Sequence, residues 1–221
     1  MLKDRWRMEP GSPPLYPRSR GAASALPPQT RASHGLEQFF ASIQDQENLS
    51  ILDFAGASQA NISFITALGH RIYSNDIVRT LEESFGNDGD FVANQSDPQR
   101  ATAFLRESLD FPENSFDGAL VWDTLQFLAP PLLQDTVDRL YHILRPQSYL
   151  LAFFHAEEKA DTIPLYSYRI VEPKVLSLTP RGQRKAAQYF NNRSLEKLFQ
   201  KFNSVKFFLT RDHLREVIVR R

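Results

Sequence analysis

Two carboxylates stand out by their placement. Asp53 lies at the end of the apolar run Ile51-Leu52-Asp53-Phe54, and Asp76, 23 residues on, follows Arg71-Ile72-Tyr73. Between them, Ala55-Gly56-Ala57-Ser58 is small enough for a ligand to approach the backbone closely, and 59–68 carries Ile62, Ile65 and Leu68 at helical spacing. Strand, tight turn, helix, strand and terminal acid make up the nucleotide-binding βαβ plan, with the acid placed for ribose hydroxyls. A carboxylate accepts from both vicinal hydroxyls, which makes Asp76 the candidate for that role. Each acid also has a plain structural use. Asp76 precedes the helical stretch 77–85 and Asp is favoured at helix N-caps, while Asp53 can cap the helix that starts near Ser58.

In an alternating strand–helix chain, ligands bind beyond the carboxyl ends of the strands. The residues at those ends are the further candidates: Phe54, Ala55 and Gly56 after the first strand, Trp122 and Asp123 after FDGALV, and His155 after SYLLAFFH. Asp123 and His155 are the candidates for catalytic proton transfer. Glu157 and Glu158 lie just beyond His155, and Tyr166 and Tyr168 fall in the irregular segment that follows. There is no cysteine, and no His, Asp or Glu pair has metal-ligand spacing, so a metal centre is not expected. Acyl and phosphoryl transfer likewise find no nucleophile elbow or phosphate loop.

These residues depend on the elements around them. The patterning predicts a short amphipathic helix over 35–43, strands at 51–54 and 71–73, helices over 59–68 and 77–85, and loop over 86–98. A third strand is expected at 102–106 and a fourth at 116–121. A helix over 131–144 begins with Pro131 in its first turn and ends before Pro146, and SYLLAFFH (148–155) reads as a strand covered on both faces. Residues 156–190 read as irregular, 193–202 as helix, and 205–209 with 217–219 as a terminal hairpin. Residues 1–31 hold six of the fourteen prolines among Ser, Gly, Ala and Arg, and are expected to be a disordered arm before a single domain over 32–221.

The stretch LSILDFAGASQANISFITALGHRIYSNDI resembles motif I and the acidic motif of class I S-adenosylmethionine-dependent methyltransferases, whose turn usually reads D-x-G-x-G-x-G. Asp53 matches the leading acid, whereas the three glycine positions hold Ala55, Ala57 and Gln59. FPENSFDGALVWD and LYHILRPQSYLLAFF resemble the family's middle motifs, with Gln147 and Ser148 in place of two turn glycines. The resemblance covers about 49–221. It implies an α/β Rossmann-like, doubly wound, mostly parallel seven-stranded sheet with a C-terminal antiparallel hairpin. It also implies S-adenosylmethionine as cofactor, held by Asp53, Phe54, Ala55, Gly56, Asp76 and Ile77, with Trp122 and Asp123 from the fourth strand. Ile77 is placed to pack on adenine. The acid for the adenine amine falls at Glu107, with Ser108 and Asp110 as neighbours. The implied activity is methyl transfer to a small-molecule or protein acceptor. Positioning does most of the work in such a displacement, so no signature base is required.

Two other readings follow from the same residues. The altered turn is compatible with a catalytically inactive binding or assembly module. The third rests on charge. Residues 32–164 carry seven basic and twenty acidic residues, and 165–221 carry thirteen basic and four acidic, within a chain of zero formal net charge. Arg181, Arg184, Lys185, Arg193 and Lys197 could present a basic face to a nucleic-acid substrate, or neutralise the acidic part of the same molecule. No apolar run has the length to span a bilayer and no secretory leader is recognisable, so the expected compartment is the cytoplasm.

Overall fold

The computed structural model describes residues 27–87, 89–156, 162–210 and 213–221. In chain order the elements are β1 (Gln29–Ala32), α1 (His34–Ala41), β2 (Ser50–Asp53), α2 (Gln59–Ala67), β3 (Arg71–Ser74), α3 (Ile77–Phe85), α4 (Phe91–Asn94) and α5 (Pro98–Leu109). They continue with β4 (Phe116–Trp122), a 3-10 turn (Thr124–Phe127), α6 (Pro130–Ile143), β5 (Leu144–His155), β6 (Ile163–Glu172), β7 (Val175–Arg184), α7 (Asn192–Leu198), β8 (Ser204–Leu209) and β9 (Leu214–Arg220).

The central sheet has the order β3-β2-β4-β5-β9-β8. Its first four strands are parallel, and β9 and β8 join antiparallel at one edge. The hydrophobic pattern explains this layout. Leu120, Leu150, Leu151, Ala152, Phe153 and Val217 are all fully buried, as strands flanked on both faces require. Gly118 lets Phe39 of α1 cross β4 closely: a Cβ there would stand 2.8 Å from the Phe39 ring.

Among the described residues the central sheet has six strands where seven were expected. The predicted strand at 102–106 lies inside α5, which starts with a full helix signal: the Asp97 side chain accepts from the Gln99 and Arg100 backbone amides, and Pro98 occupies the first turn. Phe104, Ser108 and Leu109 form its buried face. Glu107 is therefore on the exposed side of a helix and not at a strand end. In α2 the sheet-facing residues are Asn61 and Ile65; Ile62 is only partly covered and Leu68 is 42% exposed.

The segment read as irregular, 156–190, contains the β6–β7 hairpin, to which β1 adds as a third antiparallel strand. The disordered arm drawn to residue 31 thus overlaps a strand: Gln29–Ala32 pairs with Val175–Leu178. Arg31 is fixed further by Glu216 of β9, whose fully buried carboxylate accepts from Arg31 Nη2 at 2.7 Å, Ser33 Oγ at 3.0 Å and the Gly35 amide at 2.6 Å. The rest of the proposed arm, 1–26, lies outside the described residues, as do Glu157 and Glu158.

Candidate functional site

The turn after β2 is shaped by one glycine. Gly56 has φ 75°, the left-handed region that L-residues with a Cβ enter only at a cost, and it is the one residue of 53–60 that does so. The single glycine of the altered motif thus stands where the backbone needs it. Ala55 forms an isolated bridge with Asp76, the Gly56 amide donates to the Asn75 carbonyl at 3.3 Å, and a Cβ on Gly56 would meet the Asp76 Cβ at 3.1 Å. Turn and acid are in direct contact.

Over this contact lies a cavity of about 450 Å³. The turn residues 55–60 and Asp76 form one wall, and Ser167, Tyr168 and Arg169 of β6 form the other. The start of α2 opens into it. Ser58 makes no side-chain cap, so the first amides of the helix keep donors for a ligand. Gln59, which replaces a motif glycine, turns its amide along the helix to donate to Ser63 Oγ at 3.0 Å. Asp76 makes the helix cap expected of it, Oδ1 accepting from the Arg79 amide at 3.1 Å, and its side chain keeps one third of its exposure at the cavity wall. Arg181 of β7 approaches the same oxygen at 3.5 Å.

Asp53 is elsewhere. Its carboxylate is fully buried, with Oδ1 accepting from Trp122 Nε1 at 2.6 Å and from the Ala55 amide at 3.0 Å, and Oδ2 accepting from Asn61 Nδ2 at 2.9 Å. Burial raises its pKa, against the lowering effect of these three donors. Asn61 also donates to the Tyr168 carbonyl and accepts from the Ile170 amide at 2.8 Å, fastening β6 across the sheet end. Asn61 was not anticipated. It stands four residues before Ile65, on the same buried face of α2.

Trp122, at φ 54°, adopts a strained backbone for a bulky residue and stacks its ring on Tyr168, centroids 5.0 Å apart and 7° from parallel. Asp123 sits just behind, fully enclosed. Burial pushes its carboxyl up to about 7. The Tyr168 hydroxyl faces Asp123 and is itself raised by burial and by that carboxylate, yet neither Asp123 Oδ2 nor Tyr168 Oη makes a hydrogen bond of full geometry. Gln126 Oε1 accepts from the His155 amide at 2.9 Å, while Gln126 Nε2 has no acceptor.

Of the sequence candidates, the fold brings Ala55, Gly56 and Asp76 to the large cavity. Asp53, Phe54, Ile77, Trp122 and Asp123 are each at most 2% exposed and form the packing beneath it. His155 lines a separate, smaller cavity together with Arg31 and Tyr166. Among the described residues, no group of three His, Asp or Glu side chains could hold a metal ion, and no helix is long and apolar enough to cross a membrane.

The architecture has counterparts among solved structures. A methyltransferase from Archaeoglobus fulgidus, dependent on S-adenosylmethionine, matches with a TM-score of 0.50 at 10% identity, over 84% of this chain and 91% of that one. The fold is that of the S-adenosylmethionine-dependent methyltransferases. The 1,6-didemethyltoxoflavin-N1-methyltransferase of Burkholderia thailandensis, solved with 1,6-didemethyltoxoflavin and S-adenosylhomocysteine, matches at TM-score 0.46 and 12% identity, over 85% and 76% of the two chains. The [4+2]-cyclase SpnF matches at TM-score 0.46 and 12% identity, over 83% and 78%. No protein-family model matches the chain, and no curated protein does.

The methyltransferase fold raises the question of fit to its cofactor. The cavity is within the roughly 300–1,000 Å³ of small-molecule sites. The amides at the start of α2 suit a carboxylate and Asp76 suits a diol, so the residues fit at these two ends. Ile77 and Trp122 offer no face for a base, each being 1% exposed.

Proposed function

We propose that this chain is an S-adenosylmethionine-dependent methyltransferase acting on a small-molecule acceptor. The cavity of about 450 Å³ at the carboxyl ends of β2 and β3 carries this reading, because the Gly56 turn and Asp76 meet there beneath β6. In this reading the α2 amides hold the cofactor carboxylate and Asp76 accepts from the ribose hydroxyls. The bound cofactor supplies an electrophilic methyl group. The chain supplies orientation, and β6 supplies the wall facing the turn. The acceptor is taken as small because the three-stranded sheet covers the strand ends on which a protein or nucleic-acid chain would have to lie.

Calorimetric titration of the full chain with S-adenosylmethionine and S-adenosylhomocysteine tests this. Asp76→Asn is the informative variant, since the amide oxygen keeps the α3 cap and only the charge is lost. Micromolar binding weakened at least tenfold in the variant is expected. Absence of binding to folded protein would overturn the reading.

One observation favours the second reading, an inactive binding or assembly module. Asp53, the leading acid of the motif, is saturated by three internal donors and shut behind Trp122. That module would fold normally and leave both titrations flat. The nucleic-acid reading gains no comparable support: Arg181 approaches Asp76, and Arg184 pairs with Glu82 at 2.6 Å, so two of its five cations neutralise the acidic part of the same molecule.

A further inference from the structure

β3 has a cavity at each end. The turn cavity lies beyond its carboxyl end, beside Asp76. At its amino end His70, one residue before Arg71, belongs to the wall of another cavity, of about 400 Å³. Three parts of the fold build that wall. Glu37, Phe40 and Ala41 come from one face of α1, at the i, i+3 and i+4 spacing of helix neighbours, and Gln44 extends the row. Leu68 and His70 flank Gly69, whose left-handed φ of 82° turns the chain out of α2. Pro173 comes from the β6–β7 turn, which is fastened to the start of α1 where the Ser33 amide donates to the Lys174 carbonyl at 2.9 Å.

This wall is apolar and carries one full charge. Phe40, Ala41, Leu68 and Pro173 offer hydrocarbon, and Leu68 keeps 42% of its surface exposed. Burial lowers the His70 pKa, against the opposing influence of Asp117, so the ring is neutral at pH 7 and Glu37 is the one charged residue among those lining the cavity. The Glu37 carboxylate meets His34 at 3.5 Å, with both side chains more than half exposed, and so stays open to a further partner. His70 Nδ1 has no hydrogen-bond partner.

We propose that this cavity binds a small organic amine, an ammonium group on an aromatic or branched apolar body, with the ammonium paired to Glu37. The size fits: the volume is within the roughly 300–1,000 Å³ of small-molecule sites, and one benzene ring needs about 150 Å³, which leaves room for a body of two fused rings. The polar chemistry fits as well. An ammonium carries three donors and no acceptor, and the carboxylate of Glu37, the amide of Gln44 and the imidazole of His70 each offer an acceptor. An anion of the same shape would meet the Glu37 charge with no cation in the lining to offset it. The two cavities share no lining residue, so occupancy of this one does not depend on the cofactor reading.

Tryptamine and tryptophol, which differ in bearing an ammonium or a hydroxyl on the same indolyl-ethyl body, test the site when titrated separately into the full chain without cofactor. Amide shifts in the NMR spectrum report where each binds. Saturable binding of tryptamine is expected, with shifts concentrated at 37–44, 68–70 and 174, and with tryptophol at least threefold weaker, the size of effect that a half-exposed ion pair provides. Glu37→Gln should bring tryptamine to the level of tryptophol and leave tryptophol unchanged, which separates the charge from any change in α1 itself. Ala41→Phe fills the cavity from the exposed end of α1 and should abolish binding of both, while the turn cavity keeps whatever affinity it has for S-adenosylhomocysteine. No saturable binding to folded wild-type protein, equal affinity for the two ligands, or tryptamine binding indifferent to Glu37→Gln or to Ala41→Phe overturns the proposal.

Discussion

The Trp122 indole nitrogen donates to Asp53 Oδ1 at 2.6 Å, joining the end of β4 to the end of β2 across the floor of the turn cavity. Both groups are excluded from water. A hydrogen bond to a buried charged group is among the stronger ones in a protein, and removing the donor leaves the carboxylate short of one partner. Trp122→Phe keeps an aromatic ring against Tyr168 and deletes the donor. It is expected to cost about 1–3 kcal/mol, read by urea unfolding. A loss below about 0.5 kcal/mol, the range of ordinary surface changes, would show that Asp53 finds a replacement donor.

Asp123 gives the protein a pH dependence of stability. Its carboxyl is raised from the ordinary 3.8 to about 7 by burial. The folded state therefore holds this proton more tightly than the unfolded chain does. The contribution of Asp123 to stability is fully present below pH 4 and is lost as pH rises toward 7, by an amount of a few kcal/mol at most. Asp53 and Glu216, also raised by burial, act in the same direction. The informative quantity is thus the difference between wild type and Asp123→Asn, which should shrink as pH falls from 7 to 4. A difference constant with pH would place the Asp123 titration outside that window.

The βαβ unit was legible because its elements have local causes: an apolar strand, a small-residue turn and the helical stretch after it, although Ser58 at the start of that helix makes no side-chain cap. Asp76 in particular was placed by counting. The β6–β7 hairpin was hidden by its own geometry. Ile163 and Leu165 start an inward alternation, but a register shift between Leu165 and Tyr166 moves the inward positions to Tyr168 and Ile170, so the period of two breaks in mid-strand. The expected strand at 102–106 gave a short apolar stretch more weight than the Asp97-Pro98 start signal, which the helix obeys. Asn61 and Glu216 were missed for another reason. Their partners lie 109 and 185 residues away in sequence, at Ile170 and Arg31, and no local pattern announces such contacts.

Gln147 stands where the related turn carries glycine, and its backbone still has the glycine conformation, φ 71°. A residue with a Cβ pays about 1–2 kcal/mol there. Gln147→Gly removes that strain and raises the entropy of the unfolded chain, an opposing effect of about 0.4–1 kcal/mol. The net expectation is a gain of up to about 1 kcal/mol, or about 2–4 °C in Tm for a domain of this size. Gln147→Ala, which keeps the strain, should give no gain. Equal Tm values for the two variants would show that the turn relaxes instead.

The three-stranded sheet is tied to the central one through Glu216, so the protein should be sensitive to where its N-terminus is cut. A fragment over 27–221 keeps β1 and Arg31; one over 33–221 keeps Ser33 and Gly35 but loses the guanidinium that lies 2.7 Å from the buried carboxylate. Breaking a buried ion pair from one side costs about 3–5 kcal/mol, and the shorter fragment is expected to be less stable by that order. Acid distinguishes the two contributions to this loss. Burial already raises the Glu216 pKa and Arg31 opposes that rise. Without Arg31 the folded-state pKa climbs further, so protonation restores stability as pH falls. Loss of the β1–β7 pairing has no such dependence. A deficit that narrows between pH 7 and pH 5 would assign the larger part to the stranded carboxylate. A deficit unchanged by pH would assign it to the strand, and equal stability of the two fragments would show that β1 and Arg31 are dispensable to the fold.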